Sequence, residues 1–180
     1  MSEQPTSPSE FTLLHDAMTT AITDALPQCR HVEAYPKLVA EGMKLPALMF
    51  AMTAVEPGPD PGDGRTCITA TFEALILVEE ARPRAPLQAA ILAGHLVKLL
   101  RLQYWDQDFV GPVTDVRGMP SETPEILQCV SWSVHWRQDI YLGDTAWLWD
   151  DEPPGSLMFA FHPDTGPGSE GSYVAPEDMA

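Results

Sequence analysis

The longest regular alternation of apolar and polar positions in the chain lies at residues 126–143. Its even positions carry Ile126, Val130, Trp132, Val134, Trp136, Ile140 and Leu142, with the amides Gln128 and Gln138 as exceptions. Its odd positions carry Cys129, Ser131, Ser133, His135, Arg137 and Asp139. A period of two in a segment rich in Trp, Val and Ile is typical of a strand with one buried face. The pattern predicts a long strand whose even-numbered side chains face the core.

Four further segments are predicted to be strands. Residues 66–78 alternate in the same way, with apolar side chains at Ile68, Ala70, Phe72, Ala74, Ile76 and Val78. We expect this strand and the one at 126–143 to form the middle of one sheet. Residues 47–55 are apolar on both parities, which is typical of a strand covered on both faces. Residues 31–35 indicate a short edge strand, and residues 110–117 a modest strand before a loop at 120–124.

A loop separates the predicted strands at 47–55 and 66–78. Residues 56–64 hold three prolines and three glycines, a composition that excludes a helix or a strand ladder. The two strands therefore form a hairpin with a long protruding tip.

The first predicted helix begins near residue 8 and ends before Pro27. Ser7 can cap it, Pro8 suits the first helical position, and Glu10 completes a capping box. Its apolar residues recur at helical spacing and are Phe11, Leu14, Met18, Ala21, Ile22 and Ala25.

The second predicted helix begins at Pro86, after the break Arg82-Pro83-Arg84. One apolar stripe consists of Leu87, Ala90, Ile91, Gly94 and Val97, and it is widened by Leu92, Leu96, Leu99 and Leu100. A helix that is apolar over so much of its circumference is covered by more than a sheet face, or it contributes to a subunit contact. Residues 37–44 suggest at most a helical turn.

These elements predict an α+β fold, a mostly antiparallel or mixed four- to five-stranded sheet flanked by two helices. We expect a flexible N-terminus at residues 1–7, one domain at 8–143, and an extended C-terminal arm at 144–180. The arm has no Lys or Arg and eight acids, which are Asp144, Asp150, Asp151, Glu152, Asp164, Glu170, Glu177 and Asp178. It also carries aromatic residues, which pure disorder rarely retains.

Composition narrows the classes of function. With 180 residues, 44% of them hydrophobic, the chain can form one domain with a sizeable core. A net charge of −16 argues against direct nucleic-acid binding, because phosphate contacts need clustered Lys and Arg. Cys29, Cys67 and Cys129 are widely spaced and predict reduced thiols in a cytoplasmic, soluble protein. No apolar run is long enough for a membrane span, and no secretion signal is present.

No constellation of residues points to catalysis or to a cofactor. His135, Arg137 and Asp139 share a strand face, but the Arg137 cation between the other two argues against a metal site. Glu79 and Glu80 are expected at a solvated strand end. His95 is expected to be a satisfied core or interface residue. We expect no catalytic residue, no metal and no cofactor, although a small cytosolic enzyme or metal protein stays open as an alternative.

Three features are suited to contact with another chain, and they define the candidate interface residues. These features are the loop at 56–64 with the adjacent Arg65, the second helix, and the C-terminal arm. The candidate interface residues in them are Asp60, Asp63, Arg65, His95, Trp147, Trp149, Phe159 and Phe161. The alternatives are an ordinary variable loop and a disordered tail.

The series of elements resembles a known family. It consists of SPSEFTLLHDAMTTAITDAL, LPALMFAMTAVEPG, TCITATFEALILVEEA, APLQAAILAGHLVKLL and VSWSVHWRQDIYLG. Over residues 8–143 this series is similar to the tail terminator, or tail completion, proteins of long-tailed bacteriophages of the lambda and Mu-like types. The resemblance rests on the order of elements and the character of the strands rather than on an invariant motif.

The resemblance implies a structural virion protein. Members of that family form a ring, typically a hexamer, that caps the tail tube, stops its polymerisation and presents a surface to the head connector. The implied partners are further copies of the chain, the tail tube protein and a head–tail connector or neck protein, and DNA passes through the acidic lumen without specific binding. The implied location is the head-proximal end of the tail, after assembly in the host cytoplasm. A neck protein and a generic adaptor module are the alternatives.

Overall fold

A five-stranded sheet and two helices form the larger part of the chain. The computed structural model describes residues 9–35, 43–122, 128–146 and 158–176. Its elements are α1 (Glu10–Ala25), β1 (His31–Ala34), β2 (Ala47–Pro57), β3 (Thr66–Glu79), α2 (Ala85–Leu100), β4 (Thr114–Ser121) and β5 (Cys129–Leu142). The chain divides into two compact units, one ending at Ala146 and one beginning at Trp147. The α+β class is confirmed.

The strands lie in the order β1-β2-β3-β5-β4. β1 runs parallel to β2, and the other neighbours are antiparallel. β3 and β5 pair along their whole lengths, from Thr66 opposite Leu142 to Glu79 opposite Cys129. The two alternating segments therefore do lie side by side within the sheet, and β1 is an edge strand, as predicted. Glu79 and Glu80 are exposed at the end of β3, also as predicted.

Both helices pack on the face formed by the even-numbered side chains of β3 and β5. In β5, Val134, Trp136 and Ile140 are completely buried, and Trp132 is half-buried. The ring of Trp136 stacks on that of Phe72 across the strand pair, with ring centroids 5.3 Å apart. The predicted parity is confirmed, because these side chains belong to one core cluster with the buried residues of α1 and α2.

Gln138 is the polar exception on the buried face, and its side chain is completely buried. Its Oε1 accepts a hydrogen bond of 2.8 Å from Trp105 Nε1, and its Nε2 donates to the carbonyl of Gly111 at 2.8 Å and to that of Gln103 at 3.2 Å. All three partners belong to the segment between α2 and β4. One strand amide therefore fixes this segment against the sheet.

β2 differs from its prediction in two ways. Only its first four residues are buried, so coverage on both faces does not extend along the strand. A bulge between Met52 and Ala54 then shifts the register and reverses the facing of the residues that follow. The strand also continues to Pro57, which pairs with Ile68, so the ladder enters the segment predicted to be loop. The prediction of a loop from composition failed at this residue because β2 needs no backbone N–H donor at Pro57 for its pairing with β3.

The N-cap of α1 is Ser9 rather than Ser7. Ser9 Oγ accepts a hydrogen bond of 3.4 Å from the backbone N–H of Thr12, and the helix begins at Glu10. Ser7 and Pro8 lie outside the described residues.

We expect Ser9→Ala to lower the free energy of unfolding by about 0.5–1 kcal/mol, the low end for an N-cap, because the bond is long. Ser7→Ala is the matched control and should leave stability unchanged. Urea denaturation measures both, and a larger effect of Ser7→Ala would restore the original assignment.

The buried stripe of α2 coincides with only part of its predicted apolar surface. It consists of Ala85, Ala89, Leu92, Ala93, Leu96 and Leu100. Leu87, Ile91 and Gly94, which belong to the apolar stripe named from the sequence, are exposed. The three alanines allow the helix axis to approach the sheet closely, so the stripe with smaller residues is the buried one. The helix does carry more apolar surface than the sheet covers.

The segments on both sides of β4 also depart from prediction. The ladder begins at Thr114 and includes Pro120 and Ser121, which were expected in a loop. Val110 makes only an isolated bridge with Ile140. Residues 123–127, the N-terminal tail at 1–8, and most of the ambiguous segment at 37–44 lie outside the described residues.

Within the second unit, residues 158–176 close on themselves instead of extending. Phe159 and Val174 form an antiparallel bridge with backbone hydrogen bonds of 2.9 and 2.8 Å. The Tyr173 hydroxyl lies 3.1 Å from the backbone N–H of Gly166 and accepts its hydrogen bond. Trp147, Trp149 and residues 150–157 lie outside the described residues.

Candidate assembly surfaces

The tip of the β2–β3 hairpin is held by an ion pair between Asp63 and Arg65. Asp63 Oδ2 accepts hydrogen bonds from Arg65 Nε at 2.8 Å and Nη2 at 2.6 Å, and Oδ1 accepts one from the Arg65 backbone N–H at 3.1 Å. The Arg65 guanidinium lies 4.8 Å from the ring centroid of Tyr141 in β5. Two of the predicted interface residues therefore shape the tip itself.

The same tip is tied to the chain that leaves β5. Ala146 N–H donates to the Asp63 carbonyl at 2.8 Å. Gly64 has a φ of +85°, and a Cβ there would come within 2.5 Å of the Ala146 Cβ. Only glycine suits this position, because it needs both the left-handed backbone and the space. Asp60 is exposed, and its carboxylate accepts from Gly62 N–H within the same turn.

The ion pair has a titration signature. The hydrogen bond from Arg65 holds the pKa of Asp63 below its ordinary value, whereas burial raises the pKa of Tyr141. A carboxyl whose pKa is lower in the folded state stabilises the fold at pH above the ordinary carboxyl range, about 3.9. That stabilisation is lost as the pH falls through the folded value.

We therefore expect the Asp63 carboxyl, followed by NMR, to titrate below the ordinary range. Arg65→Ala should return its pKa towards about 3.9 because the main cause of the shift is removed. An Asp63 titration that Arg65→Ala leaves unmoved would mean that the pair does not form in solution.

The odd-numbered face of β3 and β5, opposite the helices, carries a band of paired polar groups. Asp139 accepts a hydrogen bond of 2.6 Å from Thr69 Oγ1. Arg137 Nη2 lies 2.7 Å from a carboxylate oxygen of Glu56, and His135 Nε2 lies 3.8 Å from Glu73. The shared face of His135, Arg137 and Asp139 is confirmed. Their partners come from β2 and β3, which the sequence did not indicate.

The sheet face beside β4 has a cavity of about 570 Å³, lined in part by Arg117, Arg137 and His135. Asp115, with a φ of +52°, forms the bulge at which β4 shifts its register against β5. Arg137 is paired with Glu56, and the carboxylate of Asp115 lines the same cavity as Arg117, so the cationic charge of the cavity is partly offset. Its mixed character suits neither a metal ion nor a phosphate.

The outer face of α2 is apolar at its centre and cationic at its ends. We use this name for Arg84, Leu87, Ile91, His95, Lys98 and Arg101, which follow each other at helical spacing and are all exposed. Leu87 and Ile91 are 51% and 47% exposed, too much for core residues. A groove of about 270 Å³ adjoins Ile91 and His95. His95 is therefore a surface residue, which excludes the core alternative and leaves its assignment to an interface as a prediction.

Exposed apolar side chains also mark the second unit. The C-terminal strip, as we name it, comprises Phe159, Phe161 and Val174, which are 44%, 71% and 40% exposed. Phe159 and Val174 are directly opposite in the bridge, and Phe161 follows Phe159 by two residues. Exposed aromatic residues of this kind anchor interfaces.

The three cysteine thiols are poor nucleophiles. Burial raises the pKa of Cys29 to about 11, and burial also raises the pKa of Cys67 and of Cys129. Since the thiolate is the reactive form, each thiol stays protonated at neutral pH.

No protein-family model and no curated protein matches the chain. Among the described residues, no three or more His, Cys, Asp or Glu side chains are grouped so that they could hold a metal ion. None of the helices in the described ranges has the length and apolar character of a membrane span. The surfaces and the order of elements remain as the basis for inferring function.

Proposed function

We propose that this protein is a ring-forming tail terminator of a long-tailed bacteriophage. It caps the head-proximal end of the tail tube, stops polymerisation of the tube protein and offers a joining surface to the head connector. The observation that carries the proposal is the order of elements: a helix, an edge strand, a long hairpin, a second helix and two further strands. The resemblance to that family rests on five of these elements: the two helices, the two strands of the hairpin and the last strand.

The surfaces of the molecule support a ring. A closed ring needs two different surfaces on each subunit, because its contacts are head to tail. The outer face of α2 and the C-terminal strip are two such surfaces, and they belong to different compact units. The exposed distal half of the hairpin, residues 53–57, offers a third surface for a tube or a connector.

Charge and chemistry support assembly rather than catalysis. A net charge of −16 lets DNA pass a lumen without adhering, because like charges repel. The thiols are protonated, and Asp63, Glu56 and Asp139 are each engaged by Arg or Thr side chains. None of these groups is poised as a nucleophile or a general base.

The test is a polymerisation assay with purified tail tube protein. We expect the chain, added at sub-stoichiometric amounts, to stop growth and shorten the mean tube length measured by electron microscopy. Sedimentation of the chain alone should give a ring, with six copies as the expected number. Unchanged tube lengths together with a monomeric chain would overturn the proposal.

A head–tail connector, or neck, protein is the second candidate, since a ring is expected of both. The same assay separates the two. A neck protein forms the ring but leaves tube growth unaltered, and it binds tubes only after their ends have been capped.

A further inference from the structure

Basic residues are few in this chain and are concentrated around α2. Residues 81–105 hold four of the ten Lys and Arg residues and no Asp or Glu. Three of these cations, Arg84, Lys98 and Arg101, are exposed along the outer face of α2. Within the described ranges, no ion pair joins any of the three to a carboxylate. An uncompensated cationic stripe on a chain with a net charge of −16 calls for an anionic partner.

The C-terminal segment has the complementary properties. Residues 144–180 carry eight acids and no Lys or Arg, which is half of the net charge. The same segment presents the C-terminal strip, whose Phe161 is the most exposed of the large hydrophobic side chains in the described residues. The acidic C-terminal segment, with the exposed apolar side chains of the C-terminal strip, is therefore complementary in charge and hydrophobicity to the outer face of α2.

The size of the groove beside this face also fits. At about 270 Å³ it is smaller than the roughly 300–1,000 Å³ of sites that hold drug-sized molecules. Its lining combines the apolar residues Pro46, Ile91 and Leu92 with the polar residues Gln28, Arg82, Gln88 and His95. A cavity of this size suits one or two side chains of another chain, such as the phenyl rings of the strip, which would pack against Ile91, Leu92 and Pro46.

We propose that the C-terminal unit of one copy docks on the outer face of α2 of a neighbouring copy. Phe159 and Phe161 enter the groove beside Ile91, and acids of the same unit, among them Asp164, face Arg84, Lys98 and Arg101. The contact is head to tail, since it joins two different surfaces, so it propagates from copy to copy and closes into a ring. This inference rests on the proposed function, because that function requires a ring. The contact itself can be tested on the purified chain without tail tubes.

The experiment uses two full-length variants, each defective on one side. The face variant combines Leu87→Asp with Ile91→Asp, and the strip variant combines Phe159→Asp with Phe161→Asp. All four positions are at least 44% exposed, so folding should be retained, as circular dichroism checks. Leu13→Asp, at an α1 position that is 40% exposed, is the matched control.

Sedimentation should show that each defective variant alone is monomeric, with the dissociation constant raised about 30-fold or more, as expected when interface anchors are lost. The control should assemble like the unmodified chain. An equimolar mixture of the two variants should form heterodimers and no ring, because each pair retains one intact contact.

A charge variant, Lys98→Glu with Arg101→Glu, keeps the apolar centre of the outer face of α2 and changes only its charge. We expect it to assemble more weakly and to lose the salt dependence of assembly, since the Debye length is about 10 Å at 0.1 M salt and falls as salt is added.

Three outcomes overturn the inference. The first is that the variants assemble like the unmodified chain, and the second is that their mixture forms no heterodimers, which is the result expected if the unit docks within one copy. The third is that the unmodified chain stays monomeric at its highest soluble concentration. If both variants still form rings and shorten tubes, the docking inference falls while the proposed function stands. If rings depend on the two surfaces but tube lengths are unaltered, the docking inference stands and the tail terminator proposal falls.

Discussion

Trp136→Ala is expected to lower the free energy of unfolding by about 3–5 kcal/mol. Trp136 is completely buried at the centre of β5, and its ring stacks on Phe72 at an interplanar angle of 10°. Alanine would leave a cavity between the sheet and the helices that the two central strands cannot close. Urea denaturation monitored by circular dichroism measures the change.

Two controls sharpen this prediction. Trp132→Ala, at a half-buried position on the same face of β5, should cost less than Trp136→Ala. Trp136→Phe should also cost less, because it keeps the stacked ring and removes an indole N–H that has no hydrogen-bond partner among the described residues. Equal losses for the two alanine variants would mean that the helices do not cover β5 as described.

Gln138→Leu is expected to cost about 2–5 kcal/mol, although leucine is more hydrophobic than glutamine. The change leaves the buried Trp105 N–H and the Gly111 carbonyl without their partners. The Gln103 carbonyl keeps a second hydrogen bond, from the Val113 N–H at 3.1 Å, so it contributes less. Urea denaturation measures the loss, and hydrogen exchange should show faster exchange of the amides in residues 101–113.

A double-mutant cycle identifies the cause. Adding Trp105→Phe to Gln138→Leu removes the unpaired donor, so the second substitution should cost less in the leucine background than in the unmodified chain. Additive losses, or a near-neutral Gln138→Leu, would contradict the role of this amide in fixing the segment between α2 and β4.

Much of the fold was accessible from local pattern. The period of two in β3 and β5 gave their length, their pairing as neighbours and the parity that faces the core, since a strand that covers a core must alternate. The existence of both helices followed from apolar residues that recur at helical spacing. The Pro and Gly residues placed the hairpin turn correctly but not its first residues, because Pro57 is compatible with the ladder.

The candidate surfaces were only partly accessible. The sequence singled out His95, Phe159 and Phe161, and all three are exposed in the structure. It did not distinguish Asp60, which is exposed in its turn, from Asp63 and Arg65, which hold the tip together. The cationic stripe of Arg84, Lys98 and Arg101 was missed, although the absence of acids from residues 81–105 is a signal that a charge count would have found.

By itself, then, the sequence determined the type and order of the elements, and the side of each central strand that is buried, because these depend on residues close together in the chain. The tertiary structure decided which stripe of α2 meets the sheet, where the bulge reverses β2, and why a glutamine belongs in the core. Each of these features depends on residues far away in the sequence, as Gln138 does through its hydrogen bonds to Trp105 and Gly111. The same is true of the ion pair between Arg137 and Glu56, which lies 81 residues earlier. No local pattern contains that information, because the free energy of a buried stripe or a buried amide is set by what it packs against.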